Sequence, residues 1–197
     1  QKTFEEVNKV AGRMVLDDRQ DGKTCNFALI FGATGWKMNQ EYPKYSVKEW
    51  DSIIDAYFGV YQGVKKFHMR MEHLMDETGV VNDIFGRKRH LTKREIESSR
   101  KHALNMFINF PIQASEVHYA LLSMAKYREK LIEAGIYNDG RFDIHGVGIP
   151  HFMHDEIVSE SPDEYLKQAE SLLMDTMRFA VQLSIPMDAE CKIKVTW

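Results

Sequence analysis

Four residues spaced by four, Arg19, Lys23, Phe27 and Phe31, carry the first sign of chemistry in this 197-residue chain. Each step of four advances about 40° around a helix of 3.6 residues per turn, so the four form a slowly turning stripe of two cations followed by two aromatics. An arginine and a lysine one turn apart can grip successive phosphates of a triphosphate, while the rings further along meet a sugar or a base. The same spacing also describes an ordinary helix with an exposed basic end and a buried aromatic end. Gly22 inside the stripe costs about 1 kcal/mol relative to alanine and hints at a close approach.

A second constellation is His154-Asp155-Glu156, in the run from Ile149 to Glu160. A carboxylate held at a tight strand turn suits a hard cation such as Mg²⁺, which takes oxygen ligands and substrate phosphates together. The plain alternative is a polar turn that exposes its charges. A rival reading gathers Asp143, His145, His151, His154 and Asp155 as the metal cluster of a hydrolase. It is weakened because His151 and His154, three apart on a strand, point to opposite faces. A third feature is basic: Arg87, Lys88, Arg89, Lys93, Arg94, Arg100 and Lys101 face only Glu95 and Glu97 between residues 87 and 102. That local excess could track a phosphate backbone or be a solvated helix face. Finally, Asn109 and Gln113 flank Pro111, and their amides could reach base or sugar edges or act as helix caps.

These groups need elements to hold them. The stretch from Phe4 to about Phe31 is helical in character, broken near Gly12 and again at Asp17-Asp18, and stopped by Gly32. Ser46 with Glu49 forms a capping box ahead of two helices over residues 46–76, interrupted at Gly59 and Gly63. Residues 79–91 give a weak hairpin signal, and Thr92 with Glu95 marks another helix start. A long helix is expected over Gln113 to Glu133, opened by Pro111, with Ala120, Met124, Tyr127 and Leu131 facing a sheet and Gly135 ending it. Strands are expected at Arg141 to His145, Gly148 to Met153 and Glu156 to Glu160, with a hairpin tip at His154-Asp155. Ser161-Pro162-Asp163-Glu164 opens a helix reaching residue 184, and Ala189 to Trp197 alternates like a closing strand. The expected class is α+β.

Composition bounds the setting. The chain has 44% apolar residues, enough for a real core, and a formal charge of −3 that gives no global attraction to nucleic acid or membrane. No apolar run approaches the ~20 residues needed to span a bilayer, and no signal-peptide pattern is present. The expectation is a soluble protein of the cytoplasm. Cys25 and Cys191 fit neither a zinc site nor a disulfide framework and read as reduced thiols in packed positions.

Taken in order, these pieces resemble the family A DNA polymerases. Arg19, Lys23, Phe27 and Gly32 match R-x3-K-x3-F-x3-Y-G, and residues 57–64 (YFGVYQGV) look like Y-F-x-x-Y-P-G-V. Gly79 through Arg89 looks like G-x-V-x-T-x-x-G-R-R-R, Asn109 to Gln113 like N-x-P-I-Q, and His154-Asp155-Glu156 like V-H-D-E. The resemblance implies helical fingers over residues 1–105 and part of a palm over 106–197, its small antiparallel sheet covered by helices. It also implies roles. Arg19 and Lys23 would bind the phosphates of an incoming dNTP, Lys23 would protonate the leaving pyrophosphate, Phe27 would sit at the deoxyribose, and the Phe31 ring would stack on a template base. Asp155 would hold Mg²⁺ with Glu156 supporting the site, and two metals would activate the primer 3′-hydroxyl and stabilise the departing pyrophosphate. His154 would lie by the primer terminus, Asn109 and Gln113 in the template-primer minor groove, and Arg87 and Arg89 on its backbone.

The departures carry expectations too. Phe31 stands where the family usually has Tyr, Asn105 where it often has Arg, and Gln62 where it has Pro, changes that resemble a divergent phage or viral member. The family's other metal-binding aspartate lies in a D-Y-S-x-I-E-like context that nothing before Arg19 matches. The chain, which begins Gln1-Lys2-Thr3, thus reads as the back part of a polymerase: one product of a split gene, a proteolytic half, or the latter segment of a longer chain. It would need a polypeptide carrying the rest of the palm, the thumb and any exonuclease domain. The alternative is a catalytically inactive DNA-binding or assembly subunit that kept the fold.

Overall fold

In the computed structural model, residues 5, 7–9, 19–138, 145–153 and 156–194 are described. The chain divides into two compact units, residues 1–112 and 113–197. It is mostly helical, with two small antiparallel two-stranded sheets.

The first unit begins with helix α1 (Arg19–Ile30), whose small and apolar residues Gly22, Cys25 and Leu29 recur at helical spacing and are buried. Helices α2 (Gly35–Glu41), α3 (Val47–Val60) and α4 (Gln62–Thr78) follow. Cys25 and Leu29 pack with Met38, Tyr45, Trp50, Ile53 and Tyr57 in one core, where each large side chain contributes about 1.5–3 kcal/mol through burial. The expected capping box opens α3: Ser46 Oγ accepts from Glu49 N–H at 3.3 Å, and Ser46 N–H donates to Glu49 Oε2 at 2.8 Å. The break between α3 and α4 falls at Tyr61, not at Gly59 or Gly63, which lie inside the helices; the Tyr61 backbone leaves helical geometry with ψ 60.

Strands β1 (Val80–Asn82) and β2 (Lys88–His90) pair antiparallel with Asn82 opposite Lys88. Gly79, with φ +63, turns the chain out of α4; a Cβ there would lie 2.5 Å from the Leu91 carbonyl oxygen. Helix α5 (Lys93–Ser98) has the expected Thr92–Glu95 box. Val81 and Leu91 close a second core with Met71, Met75, Ala103, Phe107 and Ile108.

Helix α6 runs Arg100–Glu133, with Pro111 inside it. The sequence places a helix start at Pro111, and this is corrected. An interior proline loses one backbone hydrogen bond and sets its ring against the carbonyl four residues earlier, at about 3 kcal/mol, and burial of residues on either side of it in sequence, Ala103, Phe107 and Ile108 before and Tyr127 and Leu131 after, offsets that cost.

In the second unit, β3 (Gly148–Met153) and β4 (Glu156–Glu160) pair antiparallel, with Phe152 opposite Ile157 and Met153 opposite Glu156. Tyr127 and Leu131 of α6 and Ala169 and Leu173 of helix α7 (Leu166–Phe179) share a core with Val147 and Ile157. Helices thus cover this sheet as the sequence predicts. Tyr127 Oη and Ser159 Oγ lie 2.9 Å apart, and Ser159 Oγ also donates to the Gly148 carbonyl at 3.0 Å, tying helix to sheet.

Three expectations change here. Pro162 is the cap of a short 3-10 turn (Asp163–Tyr165) and not the first residue of a helix, because its ψ of 149 is extended. α7 ends at Phe179, short of residue 184. Residues 189–194 form no strand: alternation alone cannot make one without a partner edge, and Arg178 instead holds this segment through Asp188 Oδ1 at 3.0 Å and the Ala189 carbonyl at 3.2 Å. The strand expected at Arg141 to His145 lies almost wholly outside the described residues.

Candidate functional site

Because Cys25 and Leu29 take the inward face of α1, Lys23 and Phe27 point outward. Lys23 is exposed and Phe27 is 69% exposed, so the aromatic end of the stripe is not a buried one. Phe31, one residue beyond the helix, sets its ring edge-on to Phe27 with centroids 5.1 Å apart. Gly32, with φ +78, turns the chain there. Arg19 is the first residue of α1.

Polar bonds fix α1 at three levels. Near its start, Asp21 Oδ2 accepts from Lys44 Nζ at 2.6 Å and from the Tyr45 hydroxyl at 2.5 Å. In the middle, the Tyr57 hydroxyl donates to Asn26 Oδ1 at 3.0 Å. At its end, His68 Nε2 lies 2.9 Å from the Ile30 carbonyl oxygen. Burial raises the Tyr57 hydroxyl well above its ordinary range, with Cys25 and Tyr61 adding to the shift, so it stays a neutral donor.

The outward face of α1 opens on a cleft of about 580 Å³ lined by Lys23, Phe27 and Phe31, by Lys37 and Tyr42 from the next helix and its end, and by Asn105 and Asn109 of α6. Lys37 is paired with Glu41 at 3.4 Å, whereas Lys23 makes no ion pair among the described residues. Asn109 Oδ1 is buried without a hydrogen-bond partner among the described residues. A cation at one end, two rings beside it and an amide acceptor on the wall suit a ligand that is anionic at one end and flat with polar edges at the other.

The basic segment is divided. Arg87, Lys88, Arg89, Lys93 and Arg94 are exposed, and the β1–β2 hairpin carries the first three. Arg89 Nη2 also reaches Met106 Sδ at 3.2 Å. Arg100 does not belong to this set: its guanidinium bonds both carboxylate oxygens of Asp76 and Glu72 Oε1, the latter at 2.9 Å. Two carboxylates neutralise it, so it ties α4 to α6. Lys101 Nζ lies 3.5 Å from Thr34 Oγ1.

In the second unit, Gln113 and Glu156 are exposed, Glu156 at the start of β4. His154 and Asp155, between the paired Met153 and Glu156, lie outside the described residues, as does Asp143. Among the described residues no three His, Cys, Asp or Glu side chains converge on a metal-sized site. Cys25 and Cys191 are both free thiols, Cys25 buried and Cys191 half-buried.

With this geometry in view, the whole sequence, residues 1–197, matches the family described as DNA polymerase family A. The chain belongs to that family. It is 29% identical over 188 residues to DNA polymerase I of Streptococcus pneumoniae, covering 93% of this chain and 20% of that protein. It is 28% identical over 184 residues to the thermostable DNA polymerase I of Thermus aquaticus, with 91% and 20% covered. It is also 27% identical over 196 residues to DNA polymerase theta of Drosophila melanogaster, with 96% and 9% covered. The chain thus spans about a fifth of the bacterial relatives it matches. Its fold superposes on the POL domain of Pol1 from M. smegmatis, a complex with DNA primer-template and dNTP. The TM-score is 0.78 at 20% identity, covering 95% of this chain and 32% of that one. No described helix of this family A polymerase chain is long and apolar enough to cross a membrane.

Some cleft residues carry no sequence signal. Lys37 and Tyr42 enter through packing of α2, and Asn26 is fixed by Tyr57, 31 residues away. Asp83 stands in the expected hairpin region, yet its burial, at 5% exposure, is set by the loop it organises.

Proposed function

We propose that this chain takes part in template-directed DNA synthesis, the transfer of a nucleotide from a dNTP to a primer 3′-hydroxyl. The observation that carries the reading is that Lys23, Phe27 and Phe31 together line one cleft in a family A polymerase chain. Lys23, at the cationic end with Arg19 one turn earlier in sequence, binds the dNTP phosphates, and its ammonium group gives a proton to the leaving pyrophosphate. Phe27 meets the deoxyribose, and Phe31, lacking the family's hydroxyl, keeps only the stacking surface. Asn109, Gln113 and His154 touch the template-primer, and Arg87 and Arg89 its backbone.

The reaction requires Mg²⁺, which supplies charge neutralisation at the reacting phosphate. Asp155, with Glu156 beside it, is the matched carboxylate in this sequence. The other carboxylate comes from outside these 197 residues, on another polypeptide or segment that also carries the remaining palm and thumb. Residues 1–105 are fingers and 106–197 palm in this reading. The Phe31, Asn105 and Gln62 departures favour a phage-type member acting in the host cytoplasm. The second reading is a binding subunit without catalysis.

The test is primer extension with Mg²⁺ and four dNTPs, using protein purified natively with its composition checked. Extension that Asp155→Ala abolishes supports catalysis. Extension that survives Asp155→Ala supports the inactive-subunit reading, and template-primer binding without any extension means either that the other half is missing from the preparation or that the chain is a binding subunit.

A further inference from the structure

The β1–β2 hairpin places an acid where the reading above has least use for one. Asp83 is followed in sequence by the exposed Ile84 and then by the cationic run Arg87, Lys88 and Arg89, yet its own side chain is buried. Its Oδ1 accepts from Phe85 N–H at 2.9 Å and from Arg87 N–H at 2.8 Å. Its backbone closes the same loop, Asp83 N–H donating to the Arg87 carbonyl at 2.9 Å and its carbonyl accepting from Gly86 N–H at 3.2 Å. Gly86, with φ +86, supplies the left-handed turn. Both backbone groups of Arg87 are therefore held by Asp83, and the next two cations are held by pairing with β1.

We propose that Asp83 is a positioning residue for nucleic-acid backbone binding, fixing the spacing of Arg87, Lys88 and Arg89. This rests on the proposal that the chain binds template-primer. Toward a polyanion, the charge of Asp83 has the wrong sign. Its use is geometric: cations whose backbone is already ordered lose less conformational freedom when phosphates bind them. Asparagine at the same place keeps an oxygen able to accept both N–H groups and removes the charge. Alanine removes both.

The experiment is a fluorescence-anisotropy titration of labelled template-primer at several salt concentrations, on the natively assembled protein and its Asp83→Asn, Asp83→Ala and Gly86→Ala variants. Positioning predicts that Asp83→Asn binds as tightly as the parent or slightly tighter. It predicts that Asp83→Ala binds about fivefold or more weakly, with its log K against log salt slope shallower by about one for a lost phosphate contact. A purely electrostatic role predicts that both Asp83 variants bind tighter by the same factor, and that result overturns the proposal. Gly86→Ala covers the case in which Asp83→Ala fails to fold. Its added Cβ meets nothing within 4 Å, so only the turn is strained, and weaker binding is expected. Unchanged binding by Gly86→Ala overturns the proposal as well. If the parent itself does not bind template-primer, the functional reading falls and this inference with it.

Discussion

Replacing Asn109 with leucine is expected to stabilise the chain and, if the proposed function holds, to weaken template-primer binding. Asn109 lies on α6 at the wall of the cleft, and its Oδ1 is buried with no donor among the described residues. A buried acceptor left unpaired costs about 1–3 kcal/mol. Asn109 is only half-buried as a residue, so the low end applies, about 1 kcal/mol. Leucine has a similar volume and is the better helix former by about 0.5 kcal/mol. The sum is about 1.5 kcal/mol. For a chain of 197 residues, 1 kcal/mol moves the melting temperature by about 2–4 °C, so thermal unfolding followed by circular dichroism should shift upward by about 3–6 °C. Binding should fall about tenfold, equivalent to one lost hydrogen bond of about 1.4 kcal/mol to the ligand edge. Asn109→Asp, which keeps the shape and adds a charge, should lower the melting temperature. A leucine variant that melts lower than the parent would refute the reasoning, since the acceptor would then have to be satisfied in the folded protein.

Three further outcomes follow from titratable groups. Burial, with Asp21 nearby, pushes the Cys25 thiol up to about 12, so the folded chain keeps a proton that the unfolded chain releases near 9. Stability from this source is complete below about pH 9 and is lost as pH rises toward about 12; urea midpoints of the parent should converge on those of Cys25→Ser over that window. Labelling with a thiol reagent near neutral pH should reach Cys191 well before Cys25. The Arg100 guanidinium, by hydrogen bonding, holds the Asp76 carboxyl below the usual carboxylate range. That contribution is present above the ordinary carboxylate value and disappears as pH falls through the lowered one, so Arg100→Ala should lower the melting temperature at neutral pH and leave it unchanged once Asp76 is protonated.

What was legible in the sequence was local. The Ser46–Glu49 and Thr92–Glu95 boxes are recognisable because cap and partner are three residues apart, and both are formed. The paired strands at Gly148–Met153 and Glu156–Glu160 follow from β-branched and aromatic residues on each side of a polar turn. Pro111 misled because a proline's rule is also local, while the burial that carries α6 past it is not. Ala189 to Lys194 misled for the converse reason: alternation was present, but among the described residues no strand pairs with it.

The cleft depends on both kinds of information. Spacing by four put Lys23, Phe27 and Phe31 on one stripe, but spacing could not say whether that stripe faced the core. The decision rests with Cys25 and Leu29, which meet Trp50, Ile53 and Tyr57 from a helix some 25 residues later. Once they occupy the inward face, Phe27 is about 200° away from Cys25 around the helix and must stand in solvent. A phenylalanine left 69% exposed forgoes much of the roughly 1.5–3 kcal/mol its burial would contribute. Asn109, on the facing wall, gives up a hydrogen bond in the same cleft. These are two separate deficits on one lining, and under the proposed function a ligand that stacks on the ring, and reaches the amide once the wall shifts, would offset both.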